Sequence, residues 1–287
     1  MRCMKLYAIS DLHLGYALNR DILPKVSAHP EDWLIIAGDV GESEAHLRFA
    51  LEVLCSRFAR LLWVPGNHDL WSMPDDPLRG EAKYLRQVRI CREYDVFTPE
   101  DPYPIWTGEG TRCILAPLFM LYDYSFRPDD IPIQQAVAWS AAQGVVCSDE
   151  QLLYPDPYPS RQAWCHVRYQ YTEQRLQAAQ NGLPFILINH FPLRQDVIRL
   201  FKIPTFSIWC GTRLTENLHT RYPTLSVVSG HLHMPATDYR DGVRFEEVSW
   251  GYPQQWSHRV QEHPPLREIL PGPPQPYPDQ AGPFWRW

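Results

Sequence analysis

Short apolar runs punctuate this chain, and most of them stop at the same kind of polar turn. Residues 5–10 (KLYAIS), 33–37 (WLIIA), 61–64 (LLWV), 185–189 (FILIN) and 225–229 (LSVVS) are rich in β-branched or aromatic residues. Each is too short for a helix and ends in turn chemistry, so each predicts a buried strand. Between the second and third runs, Leu47, Ala50, Leu51, Leu54 and Phe58 recur at helical spacing, which predicts a strand–helix–strand unit. Residues 112–126 predict one or two further strands broken at Pro117, residues 134–142 a helix, and residues 161–180 a helix ending near Asn181-Gly182. Residues 236–239 and 243–248 flank Arg240-Asp241-Gly242, a hairpin signal with Asp-Gly at its turn. We expect one domain over residues 1–257, with an insertion at about 120–183 suited to covering a site. The proline-rich segment 258–287 is expected to be an extended tail, partly ordered, with Phe284, Trp285 and Trp287 available to dock.

Composition narrows the class without choosing an activity. At 287 residues, 45% hydrophobic and 21% charged, the chain is globular and long enough for one or two domains. A net charge of −6 does not advertise a nucleic-acid partner. The seven cysteines are odd in number and widely spaced, with no C-x-x-C. That argues against a secreted disulfide framework and against a cysteine-rich zinc site, and for free thiols in a reducing compartment. No run approaches the roughly 18 apolar residues that would span a bilayer. The expectation is a cytoplasmic chain with no membrane partner and an undetermined oligomeric state.

The chemistry sits at the strand ends. The first run ends in Asp11-Leu12-His13, the second in Gly38-Asp39, the third in Gly66-Asn67-His68-Asp69, and two later ones in Asn189-His190 and Gly230-His231-Leu232-His233. Ligands of open α/β sheets collect outside the carboxyl ends of strands, so residues far apart in sequence can converge there. Asp11, His13, Asp39, Asn67, His190, His231 and His233 offer oxygen and imidazole donors, a set that suits manganese, iron, zinc or nickel. Seven side chains are too many for one tetrahedral zinc but enough for two ions if a carboxylate bridges them. The glycines before Asp39, Asn67 and His231 would let the backbone approach such a centre.

These motifs, D-x-H, G-D, G-N-H-D, H and G-H-x-H, resemble the signature of the calcineurin-like metallophosphoesterases over roughly residues 5–250. The resemblance implies a four-layer αββα sandwich of two mixed sheets. It implies two divalent ions, manganese first and iron, zinc or nickel as alternatives. Asp11, His13, Asp39 and His233 would hold one ion, and Asp39, Asn67, His190 and His231 the other. His68 would contact the substrate phosphate, as would Asn67, and His68 would protonate the leaving oxygen. Asp69 would orient His68 or cap the following helix. A bridging hydroxide would attack phosphorus in line.

Departures from that signature address the substrate. Protein Ser/Thr phosphatases of the superfamily carry G-D-x-x-D-R-G, whereas this chain has Gly38-Asp39-Val40-Gly41-Glu42-Ser43-Glu44, with Glu42 at the second acidic position and no Arg-Gly. We therefore expect a phosphatase acting on a small-molecule phosphate ester. A phosphodiesterase on nucleotides or similar diesters, a protein phosphatase and a non-catalytic binding protein are the alternatives. Arg127 and Arg213 are candidate phosphate clamps. Trp164 and Trp209 are candidate stacking platforms, with core packing the competing role.

Overall fold

The apolar runs become strands of two sheets. In the computed structural model, which describes residues 4–258, 264–273 and 283–286, β1 (Leu6–Ile9), β2 (His29–Ile36) and β3 (Phe58–Trp63) run parallel, and β10 (Arg267–Leu270) pairs antiparallel with β1. The second sheet has β4 (Ile105–Trp106), β5 (Cys113–Pro117), β6 (Phe185–Ile188), β7 (Thr224–Ser229), β8 (Ala236–Arg240), β9 (Val243–Glu247) and β11 (Phe284–Trp285), in the order β11-β8-β9-β7-β6-β5-β4. Strands β5, β6, β7 and β9 are parallel, and β4, β8 and β11 are antiparallel to their neighbours.

Alternation along the strands makes the layers. Leu6, Ala8, Ile35 and Leu62 of the first sheet meet Leu115, Ile186, Ile188 and Val228 of the second in one buried cluster. Leu34, Ile36, Leu61 and Trp63, pointing the opposite way, pack with Leu47, Leu51, Leu54, Tyr84 and Val88 from helices Glu44–Cys55 and Gly80–Glu93. Ile114, Phe185, Leu187, Val227 and Phe245 face outward on the second sheet, against Leu176 of helix Arg161–Ala179 and Leu218. Successive side chains on a strand alternate faces, so both faces of each sheet are apolar and the architecture is the expected αββα sandwich. Helix Glu44–Cys55 begins where the Ser43 hydroxyl accepts the His46 N–H at 3.2 Å, and helix Arg161–Ala179 begins where the Ser160 hydroxyl accepts the Ala163 N–H at 3.1 Å.

Three segments differ from the sequence expectation. Residues 112–126 yield only β5. Leu118–Tyr122 are buried at 1% exposure; Leu118 donates its N–H to the Ile188 carbonyl at 2.7 Å, beyond which the strand ends, and the Met120 N–H is taken by the Asn189 side chain at 2.9 Å. Apolar burial there comes from packing under the insertion. The helix expected at 134–142 is a 3₁₀ turn (Ile133–Gln135) followed by a short helix, Ala136–Ala141. The proline-rich segment 258–287, expected outside the domain, supplies β10 to one sheet and β11 to the other. Its prolines flank these strands, leaving 267–270 and 284–285 free to pair.

One connection between the sheets positions the site. Beyond β1, Ser10 donates its N–H to Val248 at 3.0 Å and accepts the Trp250 N–H at 2.9 Å, just past the end of β9. The two sheets are thus closed against each other at the carboxyl edge, where the D-x-H and G-H-x-H motifs lie. Among the described residues, no helix is long and apolar enough to cross a membrane. The described cysteines, Cys55, Cys91, Cys113, Cys147, Cys165 and Cys210, are all free thiols; Cys3 and Trp287 lie outside the described residues.

Candidate metal centre

All seven ligand candidates converge at that edge. The His233 Nε2 lies 2.9 Å from Asp11 Oδ1 and 2.9 Å from His13 Nε2. The His190 Nε2 lies 3.5 Å from Asp39 Oδ1 and 3.2 Å from Asn67 Oδ1. Asp39 reaches both groups: its Oδ1 is the oxygen near His190, and its Oδ2 is 3.9 Å from His13 Nε2. Asp11, His13 and His190 are fully buried, and Asp39 and Asn67 nearly so. Asp11, His13, Asp39, His231 and His233 all adopt positive φ. Non-glycine residues rarely do, and the strain costs about 1–3 kcal/mol each. The turns therefore hold the side chains in place at the expense of stability. Glycines permit the close approach: a Cβ on Gly66 would lie 2.1 Å from Asp39 Oδ1, and one on Gly230 would lie 2.4 Å from Asp11 Oδ2.

Asp11, Asn67, His190 and His233 each have one end tied, which aims the other. Asp11 Oδ2 accepts from Ser10 Oγ (2.5 Å), Ser249 Oγ (2.7 Å) and the His231 N–H (3.0 Å), leaving Oδ1 toward His13 and His233. His190 donates Nδ1–H to the Ala37 carbonyl at 2.9 Å. His233 donates Nδ1–H to Gln255 Oε1 at 2.8 Å, an oxygen that also accepts the Tyr252 N–H at 2.8 Å. Such outer partners set the tautomer of a metal-binding imidazole. Asn67 donates Nδ2–H to Asp149 Oδ1 at 3.0 Å. Its Oδ1 and the His190 Nε2, both acceptors, are therefore directed at each other, and His231 Nε2 is buried with no hydrogen-bond partner. Facing acceptors and an orphaned ring nitrogen are satisfied by a cation, so the residues present fit a divalent metal.

The electrostatics agree. Burial keeps His13 down at about 3 and pushes His190 and His231 below the ordinary imidazole value, so these rings are neutral, the form that ligates. Burial, then the neighbouring charges of Asp11 and Asp69, push Asp39 well above the usual carboxylate range. A bound cation offsets that penalty.

His68 lies beside this centre within a cage of its own. Its Nδ1 is 3.0 Å from Glu42 Oε1, its Nε2 is 3.3 Å from the Tyr252 hydroxyl, and its ring stacks on Trp71 at 3.7 Å between centroids. The buried Lys83 ammonium donates to the carbonyls of Glu42 and Trp71, holding both walls of the cage. Burial would raise the Glu42 carboxyl, but hydrogen bonds from His46 and His68 outweigh it and hold it well below its usual range. Asp69 is turned away from the His68 ring. It accepts the backbone N–H of Gly66 (2.8 Å), Asp39 (2.8 Å) and Val40 (3.1 Å), stapling two motif loops together.

Comparison with known proteins puts this geometry in a family. The family profile for calcineurin-like phosphoesterases matches residues 4–235. The chain belongs to the calcineurin-like phosphoesterase family. It is accordingly a phosphoric ester hydrolase with a divalent-metal centre. It is 47% identical over 272 residues to the [acyl-carrier-protein] phosphodiesterase PptH of Mycobacterium tuberculosis, covering 93% of this chain and 84% of that one. The crystal structure of phosphopantetheinyl hydrolase (PptH) from the same organism superposes with a TM-score of 0.90 at 45% identity, covering 96% of this chain and 99% of that one.

Around the centre of this phosphoesterase is a cleft of about 330 Å³. Its floor is Asp39, Asn67, His68, His231 and His233, and its walls include Val146, Cys147 and Ser148 from the insertion and Leu200, Ile203 and Phe206 from the β6–β7 connection. The structure does not bring the two candidate arginines here. Arg127 donates to the Ile131 carbonyl at 2.5 Å, and Arg213 pairs with Asp129 at 2.6 Å and with the Arg127 carbonyl at 3.1 Å, so both brace the insertion. Trp164 is buried against Phe119, and Trp209 is buried with its Nε1–H on Glu150 at 2.8 Å; both are core residues. Sequence reasoning missed Glu42, Asp149, Tyr252 and Gln255 as partners of site residues. Glu42 carried a signal, since it stands at the second acidic position of the G-D-x-x-D pattern; the others lie outside any motif.

Proposed function

We propose that this phosphoesterase hydrolyses a phosphodiester, and that its substrate is a phosphopantetheinyl group joined to an acyl carrier protein. The observation that supports this most directly is the near full-length likeness to PptH, which spans the cleft as well as the motifs. That order reverses the sequence expectation, which ranked a small-molecule monoester first and a diester second. The cleft accommodates the reading: its floor is polar and its walls are mostly apolar, as a diester with a charged centre and a long organic arm requires.

Asp11, His13, Asp39 and His233 would hold one divalent ion, and Asp39, Asn67, His190 and His231 a second, with Asp39 shared. Manganese is the ion to load first, since the oxygen and imidazole donors accept it along with iron, zinc and nickel. Bound there, such ions supply Lewis acidity that acidifies water and offsets phosphate charge. The remaining chemistry belongs to the chain. Asn67 and His68 face the phosphoryl group from the cleft floor. His68 carries a proton at Nε2 for the departing oxygen, while Glu42 holds Nδ1–H and compensates the imidazolium charge. Trp71 and Tyr252 fix the ring plane.

The test is incubation of manganese-loaded protein with an acyl carrier protein bearing phosphopantetheine, followed by intact-mass spectrometry. The reading expects loss of the arm from the carrier, abolished by chelator. Cleavage of small phosphomonoesters with the carrier left intact would return the first place to the small-molecule phosphatase.

A further inference from the structure

Exposed apolar side chains concentrate at the mouth of the cleft, and they come from four separate segments. Phe201 is 77% exposed and Val146 75%, and Tyr16, Met73 and Ile203 are each 41–45% exposed. Val146 and Ile203 line the cleft, and Phe201 stands between the lining residues Leu200 and Ile203. Met73 follows the lining residue Trp71 by two positions, and the Tyr16 ring is 5.4 Å from that of the lining residue Tyr252. Residues this apolar are unfavourable in water unless something covers them. Asp39, Asn67 and His68 of the cleft floor are already buried, so chemistry alone does not require such a collar.

Charge indicates what covers it. In a chain of net charge −6, residues 197–209 contain no acid but two cations. Arg199 is committed to Asp238 at 2.7 Å. Lys202, between Phe201 and Ile203, is exposed and makes no ion pair among the described residues. An apolar ring with a free cation is complementary to an apolar surface bordered by carboxylates.

We propose that this collar is the docking surface for the carrier protein itself: a partner presenting an apolar surface bordered by acidic residues, with its phosphodiester arm entering the cleft. The proposal rests on the phosphodiesterase reading above. It assigns recognition to two layers, the cleft for the arm and the collar for the protein that carries it.

The experiment compares two substrates, phosphopantetheinylated acyl carrier protein and bis-p-nitrophenyl phosphate, in wild type, Phe201→Ser and Lys202→Glu. Neither residue lines the cleft. Docking at the collar raises KM for the carrier substrate about tenfold or more in each variant, leaves its kcat in place, and leaves turnover of the small diester unchanged. The KM for the carrier should also rise with salt in wild type and lose that dependence in Lys202→Glu. Variants that process the carrier as well as wild type overturn the proposal while leaving the substrate reading intact. A parallel loss on both substrates also overturns it, since the residues would then act through the shape of the cleft. Wild type that cleaves the small diester but never the carrier substrate removes the substrate reading, and the docking surface with it.

Discussion

Replacing Glu42 by Gln tests the proton-donor role of His68 with little steric change. The amide oxygen can still accept the His68 Nδ1–H, now 3.0 Å from Glu42 Oε1, so the ring keeps its place against Trp71 and Tyr252. What is lost is the negative charge beside the imidazole. Hydrogen bonds to a charged group contribute about 1.5–3 kcal/mol against about 0.5–1.5 for neutral ones. The side chain is mostly shielded from water, so a loss of about 1–2 kcal/mol follows, or roughly 5- to 30-fold in any step that needs the imidazolium. The loss should depend on the leaving group. A nitrophenolate departs without a proton, whereas an alkoxide needs one. Steady-state kcat is therefore measured for a diester of each kind, by absorbance for the first and by phosphorus NMR for the second. The alkoxide substrate should slow by the stated factor while the nitrophenyl substrate changes less than about twofold. Equal losses on both, or no loss on the alkoxide substrate, would refute the assignment of proton transfer to His68.

Other consequences follow from the same geometry. Gly66→Ala places a methyl group 2.1 Å from Asp39 Oδ1 and 2.5 Å from its backbone N, so divalent-metal affinity should fall at least about tenfold by calorimetric titration; unchanged affinity would show that the two loops can separate. Tyr252→Phe removes the hydroxyl 3.3 Å from His68 Nε2 but keeps the ring 4.3 Å from that of His13. We expect kcat on an alkoxide diester to drop about two- to tenfold with metal affinity unchanged, and lost metal binding would mean the ring, not the hydroxyl, is what matters. Burial first, and the charge of Asp11 second, raise the Glu247 carboxyl to about 7. A raised carboxyl binds its proton more tightly in the folded state. Its stabilisation is full below the unfolded value of about 4.3 and is lost as pH rises through about 7, by up to roughly 4 kcal/mol. The melting temperature of metal-free protein should therefore fall between about pH 5 and pH 8, and Glu247→Gln should flatten that decline; a variant with the wild-type slope would place the titration elsewhere.

The ligand candidates were legible because each is fixed locally: a short apolar strand delivers its last residues to a sheet edge, and the identity of those residues declares the chemistry. The sandwich was legible for the same reason, since the parallel strands are apolar on both faces. What surrounds the metal centre was not. Asp149 reaches Asn67 across 82 positions, and Gln255 reaches His233 from a four-residue helix, Pro253–Trp256, too short to show an apolar period. Their roles arise only when the sheets close at Ser10. The tail was misjudged because eight prolines in 258–287 suggest an unpaired chain, whereas strand pairing needs only the few residues between them. Arg127 and Arg213 were chosen as phosphate clamps by residue type, and acceptors within the insertion satisfy both. Residue type sets what a side chain can bind; only packing sets what it meets first.

The central claim is that this fold assembles a divalent-metal centre that hydrolyses phosphodiesters, with Asp39 shared between two ions. It is tested most directly by stripping the protein of metal, titrating manganese into wild type and Asp39→Asn, and following bis-p-nitrophenyl phosphate hydrolysis in the same samples. Two ions per wild-type chain, with activity rising as they bind, and neither full occupancy nor turnover in a folded Asp39→Asn variant, is the result expected. Hydrolysis that persists in chelator, or an Asp39→Asn variant that binds two ions and turns over normally, would contradict it.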